Sequence, residues 1–318
     1  MPGQVWVTNS LGGHLTNNSL SKSLRMQNES KWVFRQFCDI KEDPGKKKGD
    51  TVFFDKVLRL DTKGGTLVET ATVPEARFKI VKDSVVMTEL GNSVPWTDKL
   101  ETLAEFDPSD IASKMLKSDQ LEVIDSLVSA QFDTAKYVAV CTNTATTVFT
   151  SNGTATITAT ANMSDKSVRD VVDFMEKRWI PKFSDGNYRA IVSVNTRRGI
   201  YDVVSGVAQY TKPEYMHNNE VGQYYNVRFV VDQYGGVLSD TVGSGSIYGE
   251  GFFFGEEAVM EAIALLEEVR RDPPTDLGRS KKVGWYAIMN WKKMWDLTND
   301  DLNSVNKGIE RIVKVTSA

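Results

Sequence analysis

A chain of 318 residues, 41% of them hydrophobic, can bury one large core or two moderate ones, which excludes a compositionally disordered protein. Its 38 Lys and Arg against 42 Asp and Glu leave a net charge of −4, too small to hold a polyanion such as DNA by charge alone. The start MPGQVWVTNS lacks the basic and apolar parts of a signal peptide, and the chain has no apolar run of about 20 residues. We therefore expect a soluble protein made in a cytoplasm, without membrane contact.

The two cysteines, Cys38 and Cys141, lie far apart in the sequence. Neither a disulfide framework nor a thiolate metal site is indicated by two such residues. We expect both to be buried as small hydrophobic side chains.

Residues 1–45 begin polar and become amphipathic in SLSKSLRMQNESKWVFRQF. Two interpretations stay open, an arm that reaches a neighbouring molecule and a frayed terminus followed by a surface helix. The basic triplet Lys46 to Lys48 then lies between glycines and is typical of a solvated turn more than of a phosphate site. The residues that could dock the amphipathic part are Leu20, Leu24, Trp32, Phe34 and Phe37.

From Asp50 to about Leu103, apolar and polar residues alternate as they do in strands, and Gly64 and Gly65 offer the positive φ of a tight reversal. This stretch has too few large apolar residues on two faces to form a core of its own, and an isolated ribbon is not stable in water. We expect it to fold back on the rest of the chain or to lie on another subunit.

A long helix is predicted next. Asp107 can cap it, Pro108 suits its first position and Asp110 complements the dipole. A helix continuing to Val140 would have about 33 residues and a length of about 50 Å. The alternative is two shorter helices that break near Lys117 and Ser118. The apolar stripe is formed by Ile111, Met115, Leu121, Ile124, Val128, Phe132, Ala135 and Val138.

After Val140, strand and helix patterns alternate, which predicts a mixed α/β unit over about 143–280. The Thr/Ala-rich stretch from Cys141 predicts a hairpin with its turn at Ser151-Asn152-Gly153. Ser164 or Asp165 should cap a helix that Pro181 closes, with Trp179 on its buried face. Further strands are predicted in NYRAIVSVN, YNVRFVVDQ, GFFF, KKVGWYAIMNWKKMW and the last residues, and helices in RRGIYDVVSG and EEAVMEAIALLEEV. The closing stretch contains Trp285, Trp291 and Trp295, which we expect to lie in the core.

No catalytic constellation is found. His14 and His217 lie in polar stretches, far from any nucleophile that they could serve. The loop with Gly243, Gly245 and Gly249 misses the GxGxxG spacing. We therefore predict no catalytic, cofactor-binding or metal-binding residues.

Residues of like charge that are adjacent in the sequence are interpreted as structural features. The carboxylate pairs Glu256 with Glu257 and Asp300 with Asp301 are expected at helix starts, where negative charge favours the dipole. Three basic pairs are expected on solvated faces or in subunit contacts, because none is interleaved with aromatic residues. These pairs are Arg197 with Arg198, Arg270 with Arg271, and Lys281 with Lys282.

Several motifs, in one order, carry a resemblance to a known family. They are VFRQF at 33–37, KKKGDTVFFDKV at 46–57, GGTLVETATVPE at 64–75 and TELGNSVPWTDKLETLAEFD at 88–107, followed by YGEGFFFGEEAV at 248–259, VGWYAIMNW at 283–291 and GIERIVKVTSA at 308–318. In these motifs the chain resembles the major capsid proteins of tailed bacteriophages with the Hong Kong 97-type fold, and more narrowly a podovirus-associated subfamily.

The resemblance implies an α+β fold with four parts. These are an N-terminal arm over 1–45, an extended loop over 46–103 laid on a neighbouring subunit, a peripheral domain with a spine helix over 104–142 and 281–318, and an axial domain over 143–280. In the fold's best-known member a lysine and an asparagine crosslink. Lys63 could stand for that lysine, but no residue is identified as its partner and we do not expect the reaction.

The implied function is structural. Copies of the chain would assemble as pentamers and hexamers into an icosahedral shell, without cofactor or enzymatic activity. The implied partners are scaffolding, portal and decoration proteins and the enclosed double-stranded DNA, which would be contacted weakly and non-specifically. The implied location is the virion capsid, assembled in the bacterial host cytoplasm.

Two alternatives belong to other classes. An encapsulin-like nanocompartment shell would share the fold and enclose enzymes instead of a genome. A hydrolase of polysaccharides would use Glu256 and Glu257 as paired carboxylates.

Overall fold

The computed structural model describes residues 33–38, 40–42, 49–58, 60, 64–70, 72–104, 106–143, 146–200, 223–232, 238, 249–274, 276–296 and 310–317. Some of the residues singled out in the sequence lie outside this part of the chain. They are His14, Leu20, Leu24, Trp32, Lys46 to Lys48, Lys63, His217, Gly243, Gly245, Asp300 and Asp301.

The described residues form thirteen strands and three complete helices. The strands are β1 (Ile40–Glu42), β2 (Thr51–Val57), β3 (Ile80–Val86), β4 (Thr88–Thr97), β5 (Tyr137–Asn143), β6 (Thr146–Thr150), β7 (Tyr188–Ser193), β8 (Gln223–Tyr224), β9 (Val227–Asp232), β10 (Gly249–Phe254), β11 (Val259–Arg271), β12 (Ser280–Lys293) and β13 (Ile312–Ser317). The helices are α1 (Asp98–Leu103), α2 (Pro108–Asp133) and α3 (Asp165–Lys177), and residues 194–200 are also helical.

Three sheets organise these strands. A seven-stranded sheet has the order β6-β5-β13-β10-β7-β9-β8, in which β5 runs parallel to β13 and β7 parallel to β9. A four-stranded sheet has the order β1-β11-β12-β4, built on the long antiparallel pair of β11 and β12. The third sheet is the pair of β2 and β3, which together with the segment between them is called the ribbon below.

Two cores lie against the larger sheets. The inward side of α2 buries Leu116, Ile124, Val128 and Phe132 in the cluster that also holds the alternate β12 residues Val283, Trp285, Ala287, Met289 and Trp291. A second cluster joins α3, through Val168, Val171 and Met175, to the seven-stranded sheet. Each such fully buried aliphatic side chain contributes about 1.5–3 kcal/mol. Cys38 and Cys141 are both buried thiols, as expected.

Helix α2 starts as predicted but ends earlier. Asp107 accepts the amide of Ser109 as N-cap and Pro108 opens the helix, which then runs 26 residues without a break at Lys117 and Ser118. The prediction of a helix to Val140 is wrong, since Tyr137–Asn143 is a strand between β6 and β13. Strand pairing on both sides of this β-branched run outweighs the continued helical spacing.

Strand β11 corrects a second prediction. The stretch EEAVMEAIALLEEV was predicted as a helix from its residue types, and it forms a strand paired with β1 and β12. Residues 259–263 are all buried, so tertiary pairing outweighs their helix propensity. Glu256 and Glu257 consequently lie in the turn between β10 and β11, with Glu257 at φ 55°, and not at a helix start.

Smaller differences concern turns. The predicted Thr/Ala-rich hairpin exists between β5 and β6, but Ser151 to Gly153 follow the hairpin and residues 155–163 contain no strand. Gly64 and Gly65 do not adopt the positive φ expected of them. Ser164 caps α3 as predicted, whereas Trp179 is exposed instead of buried.

Strand predictions are confirmed in β2, β3, β4, β7, β9, β10, β12 and β13. Within the alternating stretch from Asp50 to about Leu103, however, the described residues of 64–79 form no strand, and Asp98–Leu103 is a helix. The helix predicted in RRGIYDVVSG is described only to residue 200, where the chain is helical. Trp285 and Trp291 are core residues, as expected, and Trp295 is half-buried.

Candidate assembly surfaces

The outward side of the ribbon exposes large apolar side chains beside the charged cross-strand pair Asp55 and Lys82. Of the 21 large hydrophobic side chains that are exposed in the described part of the chain, nine lie between Phe53 and Val86. Phe53 is 63% exposed, and the cross-strand pair Val57 and Ile80 is exposed on the same side. A cluster of this kind on a folded protein marks a surface that another molecule covers.

Between the two ribbon strands, the described residues of 64–79 have no regular secondary structure, and all of them are exposed. This part includes Leu67, Val68, Val73 and Phe78, the last of which is 71% exposed. The free energy falls when a second surface buries large apolar side chains on such an uncovered segment. The tip of the ribbon is therefore the strongest candidate for contact with another molecule.

The inward side of the ribbon packs on its own chain. Phe54 and Val85 form a small buried cluster with Met260 and Ala262 of β11. Lys56, whose side chain is fully buried, contacts Asp83 at 3.2 Å and lies 5.5 Å from the ring centroid of Phe54. Burial favours a higher pKa for Asp83, but hydrogen bonds from Lys292 and the Ser84 amide and the charge of Lys56 outweigh it, so its pKa lies below the ordinary value.

The root of the N-terminal segment is fixed to α2 by one carboxylate. Asp125 accepts the backbone amides of Val33, Phe34 and Arg35 at 3.1, 2.8 and 3.0 Å. Its burial raises its pKa, although the three amide hydrogen bonds act in the opposite direction. Phe34 is buried beside Phe132, so two of the residues expected to dock, Phe34 and Phe37, pack in their own subunit.

Arg35 adds a second anchor at the same place. Its guanidinium donates to Glu261 at 2.9 Å and to Glu267 at 2.8 Å, both on β11. Residues Ile40–Glu42 then run parallel to Met260–Ala262 as the edge of the four-stranded sheet. The chain thus leaves α2 and crosses to β11 along a path fixed by charged hydrogen bonds.

The residues just before β13 are bonded to the end of β12 and to the turn between β10 and β11. Lys293 at the end of β12 donates to the buried Glu310 at 3.0 Å and to the carbonyl oxygen of Thr134 at 2.8 Å. Arg311 donates to Glu257 at 2.7 Å and to the carbonyl oxygen of Glu256 at 2.8 Å. The carboxylate pair considered for hydrolysis is therefore engaged in this structural junction through Glu257.

The exposed face of the four-stranded sheet carries an open trough of about 560 Å³, lined among others by Tyr286 and Lys282. Its charged side chains are paired within the chain. Arg270 contacts Glu268 at 2.6 Å, and Lys282 contacts Asp272 at 2.8 Å. Of the basic pairs predicted for solvated faces, Arg270, Arg271 and Lys282 are exposed on β11 and β12, whereas Lys281 is half-buried.

The described residues contain no group of three His, Cys, Asp or Glu side chains placed to hold a metal ion. Among these residues, no helix is both long and apolar enough to span a bilayer.

Sequence reasoning missed Lys56, Asp83 and Asp125, which connect segments in the interior. Of these three, only the burial of Lys56 could have been predicted from the sequence, because the strand alternation in TVFFDKVL puts it on the same side as Phe54 and Leu58. The amides that Asp125 accepts are 90 or more residues away in the sequence, at Val33 to Arg35. Asp83 contacts Lys56, 27 residues away, and Lys292, 209 residues away.

Comparison with solved structures identifies the fold. The capsid structure of Helicobacter pylori bacteriophage KHP30 matches with a TM-score of 0.71 at 12% identity, covering 98% of this chain and 97% of that chain. The capsid of Ralstonia phage GP4 matches with a TM-score of 0.65 at 16% identity and the same coverage. The chain has the fold of tailed-phage capsid proteins. The predicted α+β class and Hong Kong 97-type fold are thereby confirmed.

The capsid fold is matched over nearly the whole chain. The capsid of cyanophage P-SCSP1u gives a TM-score of 0.66 at 10% identity and covers 100% of this chain and 98% of that chain. No family model and no curated protein matches the sequence. The assignment to a podovirus-associated subfamily stays a prediction.

Proposed function

We propose that this chain is a major capsid protein, whose copies assemble into the icosahedral shell around the double-stranded DNA of a tailed phage. The observation that carries the proposal is the ribbon, because its inward side packs on its own subunit while its outward side exposes a concentrated set of large apolar side chains. A second copy that covers this side would supply the burial that one copy lacks.

The role proposed for each part follows the resemblance. The arm covers 1–45, the extended loop 46–103, the peripheral domain 104–142 with 281–318, and the axial domain 143–280. The arm and the extended loop contact neighbouring copies within pentamers and hexamers. The uncovered outward side of the ribbon and the anchoring of the arm at Asp125 support the roles of the extended loop and the arm.

We further propose that the shell protein has no enzymatic activity and requires no cofactor. Its other partners would be scaffolding, portal and decoration proteins, with assembly in the bacterial host cytoplasm. The solved capsids that share the fold support a structural role, and Glu257 is paired with Arg311. No feature of the described residues favours the nanocompartment alternative over a virus shell.

Electron microscopy and sedimentation of the purified chain test the proposal. Closed shells of uniform diameter are expected, either from the chain alone or together with the other structural proteins of its virus. A chain that stays monomeric at high concentration under both conditions would contradict the proposal. The nucleic acid or protein content of purified particles would distinguish a virus shell from an enzyme compartment.

A double variant tests the role of the ribbon in assembly. Phe53→Ser with Ile80→Ser removes apolar area that the single subunit leaves exposed, so the melting temperature should stay close to that of the wild type while shell yield falls. The matched control is Ile157→Ser, which makes the same chemical change outside the ribbon. Equal yields from all three proteins would show that the outward side of the ribbon carries no contact.

A further inference from the structure

The two ends of the ribbon lie side by side, at Asp50 before β2 and at Met87 after β3. Strand β3 ends at Val86 and β4 begins at Thr88 in a different sheet, with only Met87 between them. On the other side Gly49 has φ 94°, and none of the described residues places an atom within 4 Å of the position that a Cβ would take there. The Met87 amide donates to the carbonyl oxygen of Asp50 at 2.7 Å, so the two connections run side by side.

Backbone pairing does not extend the sheet across this junction. Within the described part of the chain, β2 and β3 pair with each other and not with a strand of the body. A two-stranded ribbon on two adjacent connections can turn about them unless side chains prevent it. The direction of the ribbon must therefore be set by the few side chains that cross from it to the body.

Two side chains on the outward face of β12 make polar contacts with the ribbon, and the Lys56 ammonium of the ribbon lies 5.7 Å from the ring centroid of Trp295. The Lys292 ammonium donates to the Asp83 carboxylate, and to the carbonyl oxygen of Ser84 at 2.7 Å. The Asn290 amide donates to the carbonyl oxygen of Val86 at 2.7 Å. Their apolar support is the small cluster of Phe54 and Val85 on Met260 and Ala262.

The charges at this contact are interdependent. Asp83 faces Lys56 from β2 and Lys292 from β12, so one carboxylate serves two ammonium groups. The side chain of Lys56 is fully buried, and that of Asp83 is 12% exposed. Charge-assisted hydrogen bonds in such surroundings are stronger than surface ion pairs. Loss of the Lys292 contact leaves the Lys56 to Asp83 contact inside the ribbon intact.

We propose that Asp83 and Lys292 form a clamp that fixes the direction in which the ribbon leaves the body, and that opening this clamp lets the ribbon pivot at Met87 while β2 and β3 stay paired. The clamp belongs to the single subunit. The clamp would also set the angle at which the ribbon meets a neighbouring copy, and this consequence rests on the proposed function.

Pulsed electron paramagnetic resonance on the full-length subunit tests the clamp. Spin labels are placed on cysteines introduced at Val57, at the end of the paired strands far from the junction, and at Ser126, on the exposed side of α2. The native Cys38 and Cys141 are buried and should not react. The wild-type background should give one narrow distance.

Lys292→Met keeps most of the length of the side chain and removes its charge. In this variant the narrow distribution of distances between the two spin labels should become broad and shifted. Asp83→Asn should have the same effect. The matched control is Lys82→Met on the outward side of the same ribbon, where the ammonium lies 5.5 Å from the Phe53 ring, and it should keep the wild-type distance. Amide exchange should show that β2 and β3 stay protected in Lys292→Met.

Two results would overturn the clamp. One is a narrow wild-type distance in both Lys292→Met and Asp83→Asn. The other is loss of amide protection in β2 and β3 of Lys292→Met, because the ribbon would then unpair instead of pivoting. The measurement uses the unassembled subunit, so failure of the wild type to form shells would contradict the proposed function and leave the clamp standing.

Discussion

Buried charged residues connect segments that are distant in the sequence. Asp125 holds three consecutive amides of the incoming chain, and Lys293 joins β12 to Glu310 and to the end of α2. A buried polar group is costly unless its hydrogen bonds are made, so each of these residues is stabilising only as long as its partners are in place. Removing one member of such a group should cost more than removing a surface charge.

We predict a large effect of Asp125→Ala. The substitution leaves the amides of Val33, Phe34 and Arg35 without their acceptor in a region closed to water, which should lower the free energy of unfolding by about 2–4 kcal/mol. Urea unfolding measures the change. The neighbouring Ser126→Ala on the exposed side of α2 is the control and should change it by at most about 0.5 kcal/mol. Equal values for the two variants would contradict the anchoring role.

We predict a pH dependence from Asp83. Its folded-state pKa is lowered, so its stabilising contribution is fully present above its unfolded pKa of about 3.9 and is lost as the pH falls through the lower folded value. The difference in unfolding midpoint between wild type and Asp83→Asn should therefore be largest near neutral pH and shrink in acid. Asp55→Asn, an exposed carboxylate on the same ribbon, should differ little from wild type at any pH. A difference that grows in acid would contradict this assignment.

Among the elements, the ribbon is an insertion whose two ends meet. Met87 and Asp50 are hydrogen-bonded through their backbones, and the strands between them add only Phe54, Val85 and the buried Lys56 to the interior of the body. The two main cores are built without it. The body should consequently fold without the ribbon.

We predict that replacing residues 51–86 by an Asn-Gly turn leaves a folded but assembly-defective protein. The ends at Asp50 and Met87 already have the spacing of a hairpin, so closure should not strain the body. A cooperative thermal transition is expected, at a moderately lower temperature because Met260 and Ala262 lose their cover. Particle counting by electron microscopy should find no closed shells. Normal shells from this protein would show that the ribbon is dispensable.

Strand β11 has a sequence that is typical of a helix. Its Glu, Ala, Leu and Met residues favour a helix, and its apolar residues also fit helical spacing. A strand results because β12 offers a partner over its whole length and β1 covers its other edge at Met260–Ala262. Pairing partners were decisive here, and one of them, β1, lies far away in the sequence.

For the whole molecule, charge and apolar exposure point to self-association more than to nucleic-acid binding. The net charge is −4, and the basic residues Arg270, Lys281 and Lys282 are paired with nearby carboxylates. The exposed apolar area is instead concentrated on the ribbon. Contacts between copies should then be largely hydrophobic.

We predict weak DNA binding by unassembled subunits. A protein that neutralises few phosphates releases few counterions, so binding should be weak at physiological salt and should depend little on salt concentration. Fluorescence anisotropy with a labelled duplex at two salt concentrations measures both properties. A tight complex that dissociates steeply with added salt would contradict the charge argument.

The sequence by itself determined the elements whose signals are local. The N-cap Asp107 with Pro108, the cap at Ser164 and the alternation in β12 each depend on residues within one turn or one strand. The order of motifs also led to the capsid fold. The shortage of apolar residues for a separate core in 46–103 was readable from composition and alternation alone.

Only the tertiary structure decided where α2 ends, that β11 is a strand, and which side of the ribbon is buried. Each of these depends on a partner far along the chain, namely β13 for β5, β1 for β11, and Lys292 with Met260 for the ribbon. Local propensities differ by about 1 kcal/mol per residue or less, whereas sheet pairing and core burial add several such terms at once. The long-range contacts therefore prevail wherever the two disagree.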